Sequence, residues 1–196
     1  MNPDCTARSL WQYLTGQVNG GERWEGNADT ARGTAGEPLA LAEYTRLTGN
    51  AVQPCGLFLH RQHSWLAASP DGLLGDTGLL ENKCPRRLHD TLPPLYMAQV
   101  QGQLHIAERQ YAHFFSFVAE PVSSDRSSGN AAAAAAGPVA ALYEVRRSDA
   151  YWGWLLPRLK TFYTAVQAGM EPGDELRVTP ATQPPLVEVV CLGRWG

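Results

Sequence analysis

The segment AASPDGLLGDTGLLENKCP, residues 67–85, constrains the fold of this chain more than any other. It is apolar and rich in turn residues, yet it carries two carboxylates and an ammonium, at Asp71, Glu81 and Lys83. Residues i and i+2 of a strand project from the same face, so Glu81 and Lys83 point together. A hairpin between residues 71 and 81 would bring Asp71 alongside Glu81. The segment therefore predicts a folded-back strand pair that carries a cluster of charges.

Two interpretations of this cluster are open. In the first, the Asp-Gly pair forms an ordinary turn, and Glu81 and Lys83 form an ion pair that faces water. In the second, two neighbouring carboxylates hold a cation between them, because like charges otherwise repel. Hard oxygen ligands suit Mg²⁺, with Mn²⁺ as a substitute, and a lysine beside the ion can hold an attacking water. The second interpretation predicts a site for phosphodiester hydrolysis.

Composition narrows the class of protein. Hydrophobic residues make up 44% of the 196 residues and charged residues 18%, as expected for a globular chain with a buried core. The net charge of −3 excludes a surface that is basic throughout, so binding of nucleic acid would depend on a local site. Four scattered cysteines and no secretory signal predict reduced thiols and an intracellular location, and no apolar run is long enough to span a membrane.

Hydrophobic periodicity and turn residues predict an α/β or α+β fold, with helices flanking a sheet. The predicted helices lie at 30–48, 93–108 and 151–169, and the predicted strands at 55–60, 64–69, 79–85, 111–120, 140–147 and 186–193. We expect residues 1–30 to be irregular, 31–170 to form the main domain, 121–139 to be a low-complexity insertion, and 171–196 to be a Pro-rich tail.

Four blocks of sequence together resemble one nuclease family. They are RGTAGEPLALAEYTRLTG at 32–49, SPDGL at 69–73, ENKCP at 81–85 and YMAQVQGQL at 96–104. In order and in type they resemble the lambda exonuclease and YqaJ-like viral recombinase family of the PD-(D/E)xK nucleases. The resemblance implies a restriction-endonuclease-like core, with a mixed central sheet of about five strands flanked by helices. Each block alone is weak, whereas their joint occurrence is specific.

The resemblance also implies roles for residues of the hairpin. Asp71 and Glu81 match the metal-binding carboxylates of the family, and the backbone carbonyl of Asn82 would complete the metal ligands. Lys83 matches the lysine that positions the hydrolytic water. The implied cofactor is Mg²⁺, which Mn²⁺ can replace.

Two helices are expected to supply the remaining site residues. Glu37 matches the glutamate that approaches the metal from the leading helix, although a glutamate early in a helix is also favoured by the macrodipole. Gln99 matches the glutamine that helps to hold the nucleophile, although glutamines on the flank of a helix are ordinary. Gln101 and Gln103 match this role less well.

The resemblance implies a Mg²⁺-dependent deoxyribonuclease of DNA recombination or repair, a 5′-3′ exonuclease on linear double-stranded DNA. Arg86 and Arg87 directly follow the ENKCP block and are expected to contact phosphates, with Ser69 at the turn as a further candidate. Homo-oligomers, trimers by analogy, and a single-strand annealing protein are the implied partners. Relatives begin with an arginine-bearing segment that is not recognisable upstream of residue 30, so we expect a shortened chain.

Two other functions are open at this point. The chain could have a nuclease fold that binds DNA or a partner without cutting, or it could be a structure-specific endonuclease or nickase. Intact Asp71, Glu81 and Lys83 argue against the first alternative, because a protein that does not cut has little need of them. Covalently closed circular DNA separates the second alternative from an exonuclease.

Overall fold

The structure of the chain is a computed structural model, which describes residues 6–17, 26–119 and 137–196. Contacts between residues divide the chain into two units. The larger unit comprises Gly26–Arg147 and Val187–Gly196, and the smaller comprises Met1–Glu25 and Ser148–Leu186. All the site residues expected from the sequence lie in the larger unit.

A five-stranded mixed sheet forms the centre of the larger unit. In sequence order the strands are β1 (Phe58–Leu59), β2 (Ala67–Ala68), β3 (Gly72–Leu74), β4 (Gly78–Lys83), β5 (Tyr111–Val118), β6 (Val139–Arg146) and β7 (Val189–Trp195). The five-stranded sheet has the order β3-β4-β5-β6-β7, and β1 and β2 form a separate antiparallel pair. Only β4 and β5 pair in parallel, whereas the other neighbours in the sheet are antiparallel.

Four α-helices are present in the described ranges: α1 (Ala7–Leu14), α2 (Ala28–Thr48), α3 (Pro94–Ile106) and α4 (Asp149–Ala168). The side chain of Asn27 caps α2 by accepting from the N–H groups of Asp29 and Thr30, and Gly49 ends the helix with φ 70°. A proline opens α3, where a missing N–H costs no hydrogen bond. None of these helices is long and apolar enough to cross a membrane.

The helices α2 and α3 cover opposite faces of the sheet, because the buried leucines of β4 alternate between them. Leu79 packs in a cluster with residues of α3, and Leu80 packs in a second cluster with residues of α2. The α3 cluster includes Val100, Leu104, Phe114 and Val145, and the α2 cluster includes Ala40, Tyr44, Phe115 and Leu142. β4 is therefore a strand buried on both faces, and its polar residues enter the interior.

A buried hydrogen bond fastens α2 to β5. The hydroxyl of Tyr44 lies 2.6 Å from Nδ1 of His113, and Nδ2 of Asn50 donates to the same hydroxyl at 3.0 Å. Burial lowers the pKa of His113, because it disfavours the charged imidazolium. The neutral ring can then accept the Tyr44 proton at Nδ1, so the bond is compatible with a dry interior.

In the smaller unit, α1 contacts α4. An ion pair of 2.7 Å joins Arg8 Nε to Glu171 Oε1. The indole N–H of Trp154 donates to the Thr182 carbonyl at 2.9 Å, beside two short 3-10 turns, Asp174–Leu176 and Pro180–Thr182.

The structure confirms the expected fold class, a mixed sheet of five strands with helices, but some expected details differ. The prediction of an irregular segment over 1–30 needs correction, because α1 lies within it and is stabilised by a reciprocal cap between Thr6 and Ser9. The predicted hairpin requires a strand before β4, but β3 was not among the predicted strands, because it is only three residues long and lies among glycines. The two expected strands at 55–60 and 64–69 shrink to the short pair β1 and β2.

The expected domain boundaries also differ from the two units. The expected main domain, 31–170, includes α4, which belongs to the smaller unit, whereas part of the expected tail, 171–196, forms β7 in the central sheet. Most of the expected insertion at 121–139 lies outside the described residues, and its last residue, Val139, begins β6.

A matched pair of glycines in α2 tests how closely this helix approaches β4. A Cβ at Gly36 would lie 2.7 Å from Sγ of Cys84, whereas a Cβ at Gly33 would meet nothing within 4 Å. We expect Gly33→Ala to raise the free energy of unfolding by about 1 kcal/mol through helix propensity. Gly36→Ala should lower it by about 1 kcal/mol, because overpacking outweighs that propensity.

Urea denaturation of both variants checks this expectation. In a double-mutant cycle, Cys84→Ala should recover part of the loss caused by Gly36→Ala, since it removes the sulfur that the new methyl group meets. Equal stabilisation by the two glycine substitutions would show that α2 does not lie this close to the end of β4.

Candidate active site

The hairpin of β3 and β4 brings Asp71 next to Glu81. Gly72 pairs with Leu80, and the N–H of Asp71 donates to the Leu80 carbonyl at 3.1 Å. The N–H of Asn82 in turn donates to Oδ2 of Asp71 at 2.6 Å. The carboxylate of Asp71 is therefore bonded to the backbone directly after Glu81, as the hairpin prediction requires.

Glu81 is a carboxylate inside the protein, with a relative exposure of 2%. Its Oε1 accepts hydrogen bonds from Nζ of Lys83 and from Nε2 of Gln99, the latter at 2.6 Å. Its Oε2 accepts from Nε2 of Gln103, also at 2.6 Å. A buried charge is tolerated when it is paired and hydrogen-bonded, and these three donors meet that condition.

Asp71 experiences an excess of negative charge. Its pKa is raised from 3.8 to about 6, first because the protein shields it from water and then because the Glu81 carboxylate is close. The Asn82 N–H and the Lys83 ammonium lower the pKa of Asp71 in part, without cancelling the increase. By surface area the residue as a whole is nevertheless exposed, so a solute can reach Asp71 from solvent. The two carboxylates thus form a site where an added cation would be stabilised.

Lys83 is held on the same side of β4 as Glu81. Besides its ion pair with Glu81, its Nζ lies 5.4 Å from the centre of the Tyr96 ring, in a cation–π arrangement. Tyr96 in turn packs on Phe114, with the ring centres 5.3 Å apart. The first interpretation of the hairpin, an ion pair that faces water, does not fit a glutamate this deeply buried.

Glu37 approaches the carboxylates without joining them. It lies on α2, exposed, directly after the glycine that packs against Cys84. It contributes only the smallest of the effects that raise the pKa of Asp71. Within the described part of the chain, no group of three or more His, Cys, Asp or Glu side chains is arranged to hold a metal ion. The structure therefore brings Asp71 and Glu81 together, and the metal role of Glu37 stays a prediction.

Asn82 points away from this cluster, as expected for the residue between two that share a face. It is 6% exposed, and its Oδ1 has no hydrogen-bond partner among the residues that the structure describes. The expected ligand at this position is the backbone carbonyl, so the side chain is free to serve packing. Its role as a ligand also stays a prediction.

The candidate DNA contacts lie at the surface beside the site. Ser69, Arg86 and Arg87 are all exposed. Arg86 binds Asp29 through Nη2 at 2.9 Å, and Arg32 binds the same carboxylate at 2.8 Å. Both arginines line a pocket of about 450 Å³ together with Cys84, Pro85, Leu39 and Phe117. Two guanidinium groups share this one carboxylate, so the three side chains together carry a net positive charge.

Gln103 is the site residue that sequence reasoning underrated. It contacts Glu81 as closely as Gln99 does, whereas Gln101 turns elsewhere and donates to the Arg146 carbonyl at 2.8 Å. Residues four apart lie on the same face of a helix, so the spacing from Gln99 to Gln103 was a usable signal. The resemblance ranked Gln101 and Gln103 equally, both below Gln99, and did not separate them.

Comparisons with known proteins agree with the fold and with the family resemblance. The family of YqaJ-like viral recombinase domains matches residues 1–110. Among solved structures, the alkaline exonuclease LHK-Exo from Laribacter hongkongensis is 29% identical, with 86% of this chain and 84% of that chain covered and a TM-score of 0.64. LHK-Exo in complex with dAMP matches similarly, at 28% identity, 85% and 83% coverage and a TM-score of 0.63.

A phage-related exonuclease from Haemophilus somnus 129PT shares the fold, with 14% identity, 82% and 79% coverage and a TM-score of 0.56. No curated protein matches the sequence at a significant level. The family match covers more than half of the chain and includes the hairpin, the following strand end and the helix that carries the glutamines. The chain therefore belongs to the family of YqaJ-like viral recombinase domains.

Proposed function

We propose that the chain is a metal-dependent deoxyribonuclease, a 5′-3′ exonuclease that hydrolyses phosphodiester bonds of linear double-stranded DNA. The observation that carries the proposal is the pair of carboxylates, Asp71 and Glu81, with the Lys83 ammonium bonded to the second of them. Family membership and the resemblance to an alkaline exonuclease support a nuclease that acts on DNA. They do not by themselves specify the ion or the direction of cleavage.

The residues present fit a hard divalent cation. Asp71 and Glu81 offer carboxylate oxygens, and the Asn82 carbonyl adds a neutral oxygen, a set that suits Mg²⁺ or Mn²⁺. The raised pKa of Asp71 is an independent sign of fit, because a cation would relieve the repulsion by Glu81 that contributes to it. When bound, such an ion supplies stabilisation of the charge that develops on the phosphate. Glu37 would assist from α2.

Lys83 and Gln99 prepare the attacking water in this proposal. An ammonium has three protons, so Lys83 can keep its bond to Glu81 and still donate to a water or to a phosphate oxygen. Gln99 uses its Nε2 for Glu81, which leaves its Oε1 to accept a hydrogen bond from the same water. The packing of Lys83 over Tyr96 limits its motion, so the water would be held in one place for in-line attack.

Contacts with the DNA backbone belong to the exposed residues beside the site. We assign phosphate contacts to Arg86 and Arg87, which follow β4, and to Ser69, two residues before Asp71. Arg86 would exchange its bond with Asp29 for one with a phosphate. Assembly into homo-oligomers, trimers by analogy, and cooperation with a single-strand annealing protein complete the proposal, and they rest on the family resemblance alone.

Substitutions at Asp71, Glu81 and Lys83 test the proposed hydrolysis of phosphodiester bonds. We expect Lys83→Met, and separately the Asp71→Ala/Glu81→Ala double variant, to lower the rate of cleavage of end-labelled linear duplex at least about 10²-fold in Mg²⁺, because each removes electrostatic stabilisation. Asp76→Asn is the matched control, since Asp76 lies in the same hairpin and is exposed. Undiminished cleavage by the folded double variant would refute the site.

Substrate topology tests the exonuclease assignment. Linear duplex should be degraded to short products in Mg²⁺ and should be intact in EDTA, whereas covalently closed circular duplex should stay closed under both conditions. Labels placed at the 5′ or the 3′ end report direction, and early release of the 5′ label is the expected result. Nicking or linearisation of the circles would instead identify an endonuclease.

The burial of the Asp71 carboxyl group, together with its repulsion by Glu81, predicts how stability depends on pH. Because the folded-state pKa, about 6, lies above the ordinary value of 3.8, the charged form of Asp71 destabilises the metal-free fold above about pH 6. Asp71→Asn should therefore raise the Tm in EDTA near pH 7.5, and this advantage should shrink as the pH falls from about 6 towards 4.

Saturating Mn²⁺ should reverse the order, because ligand binding stabilises only the protein that retains its site. Thermal melts of both proteins at several pH values, in EDTA and in Mn²⁺, measure these effects. Equal Tm values for the two proteins in EDTA at neutral pH would show that the Asp71 carboxylate is not under repulsion.

A further inference from the structure

Gln103 is the most deeply buried polar partner of the candidate site besides Glu81 itself. It is 3% exposed, and its Nε2 lies 2.6 Å from Oε2 of Glu81. It comes one helical turn after Gln99, which reaches the other oxygen of the same carboxylate. The two glutamines therefore hold the two oxygens of Glu81 from a single helix, α3.

The two oxygens of Glu81 differ in what they can still accept. A carboxylate offers about two acceptor positions on each oxygen. Oε1 uses both of its positions, for Lys83 and for Gln99, whereas Oε2 uses one, for Gln103. One acceptor position on Oε2 is left. The hydrogen bond from Gln103 determines which of the two acceptor positions on Oε2 is left, because it fixes the rotation of the carboxylate from the side of α3.

The position of the Gln103 amide costs free energy of folding. Its Oε1 is buried and has no hydrogen-bond partner in the described ranges. Turning the amide over would bring this oxygen against Oε2 of Glu81, where two acceptors would repel, so the observed orientation is the one that chemistry allows. An unsatisfied buried oxygen destabilises a fold, and an apolar side chain would avoid it. The Nε2 contact with Glu81 is the compensating interaction.

We propose that Gln103 is a positioning residue of the nuclease reaction, one that holds Glu81 so that the remaining acceptor position on Oε2 faces the divalent cation. This inference rests on the proposed function. Gln103 does not touch DNA or the attacking water; it acts through the carboxylate. Outer-sphere partners of this kind change metal affinity or activity about 10- to 100-fold when they are removed.

The chain offers a matched control two residues away. Gln101 is also buried on α3, with 0% exposure, but its Nε2 donates to the Arg146 carbonyl at 2.8 Å. Gln103→Met and Gln101→Met each replace a buried amide by an apolar side chain of similar length. Gln103→Asn is a second test variant, which keeps an amide but is one methylene too short to reach Glu81. Thermal melts in EDTA first establish that each full-length variant is folded.

Two further readouts separate positioning from packing: the Kd for Mn²⁺ by calorimetry without DNA, and kcat and KM on linear duplex. Both Gln103 variants should bind Mn²⁺ at least about 10-fold more weakly and should lose kcat by a similar factor, with KM for DNA within about twofold of wild type. Gln101→Met should lower the Tm and leave both the Mn²⁺ affinity and kcat within about twofold.

The contrary results are equally distinct. If a folded Gln103 variant keeps the wild-type Mn²⁺ affinity and kcat, or if Gln101→Met loses as much as Gln103→Met, the positioning role is overturned while the proposed function stands. If the wild-type chain itself binds no Mn²⁺ and cuts no DNA, the proposed function fails, and this inference fails with it.

Discussion

The carboxylate of Glu81, on β4, has almost no access to water. The elements packed around it supply the hydrogen bonds that a buried charge requires. Glu81 would be costly in this position unless donors surrounded it, and they come from two elements: Lys83 from its own strand, and Gln99 and Gln103 from α3. The apolar packing of Leu79, Val100 and Leu104 brings α3 onto the sheet at the height where those donors reach Glu81. On this face of the sheet, the packing that forms the core therefore also sets the geometry of the candidate site.

The same arrangement makes the charged form of Asp71 unfavourable, because the side chain is desolvated and lies close to the Glu81 carboxylate. The hairpin pairing that orders β3 also fixes Asp71 beside Glu81, and the Asn82 N–H holds the Asp71 carboxylate there by donating to its Oδ2. Two acids are thus kept close by backbone geometry, which does not depend on whether a cation is present. If the proposed cation binds there, the site gives up some stability in the metal-free protein in exchange for a preformed set of ligands.

Much of this could be predicted from the sequence, and the exceptions have physical reasons. The alternation along β4 was sufficient to place Glu81 and Lys83 on one face, because strand geometry has a fixed period. The expected hairpin does bring Asp71 beside Glu81, but its turn lies at 75–77 and the Asp-Gly pair instead leads into β3. α2 and α3 were visible from their caps and their periodic apolar residues. Helix boundaries therefore agreed to within a few residues.

What the sequence could not provide depends on contacts between distant segments. The three-residue strand β3 is ordered by its neighbours β4 and Gln53, and no local pattern signals it. Gln101 and Gln103 donate to different partners because of the rotation of α3 about its axis on the sheet, and packing sets that rotation. The distance of Glu37 from the two carboxylates depends on the path of α2, and its metal role stays a prediction for the same reason.

The order of the strands has one further consequence. Because β4 and β5 run in parallel, the chain must cross from one end of the sheet to the other between them, and α3 is that crossing. Asp71, Glu81, Lys83 and both glutamines consequently belong to one continuous stretch, from Asp71 to Gln103, whereas Glu37 comes from α2. The relative placement of these five residues is therefore set by two connections that are close in the chain, the hairpin before β4 and the crossing after it, together with the packing of α3 on the sheet.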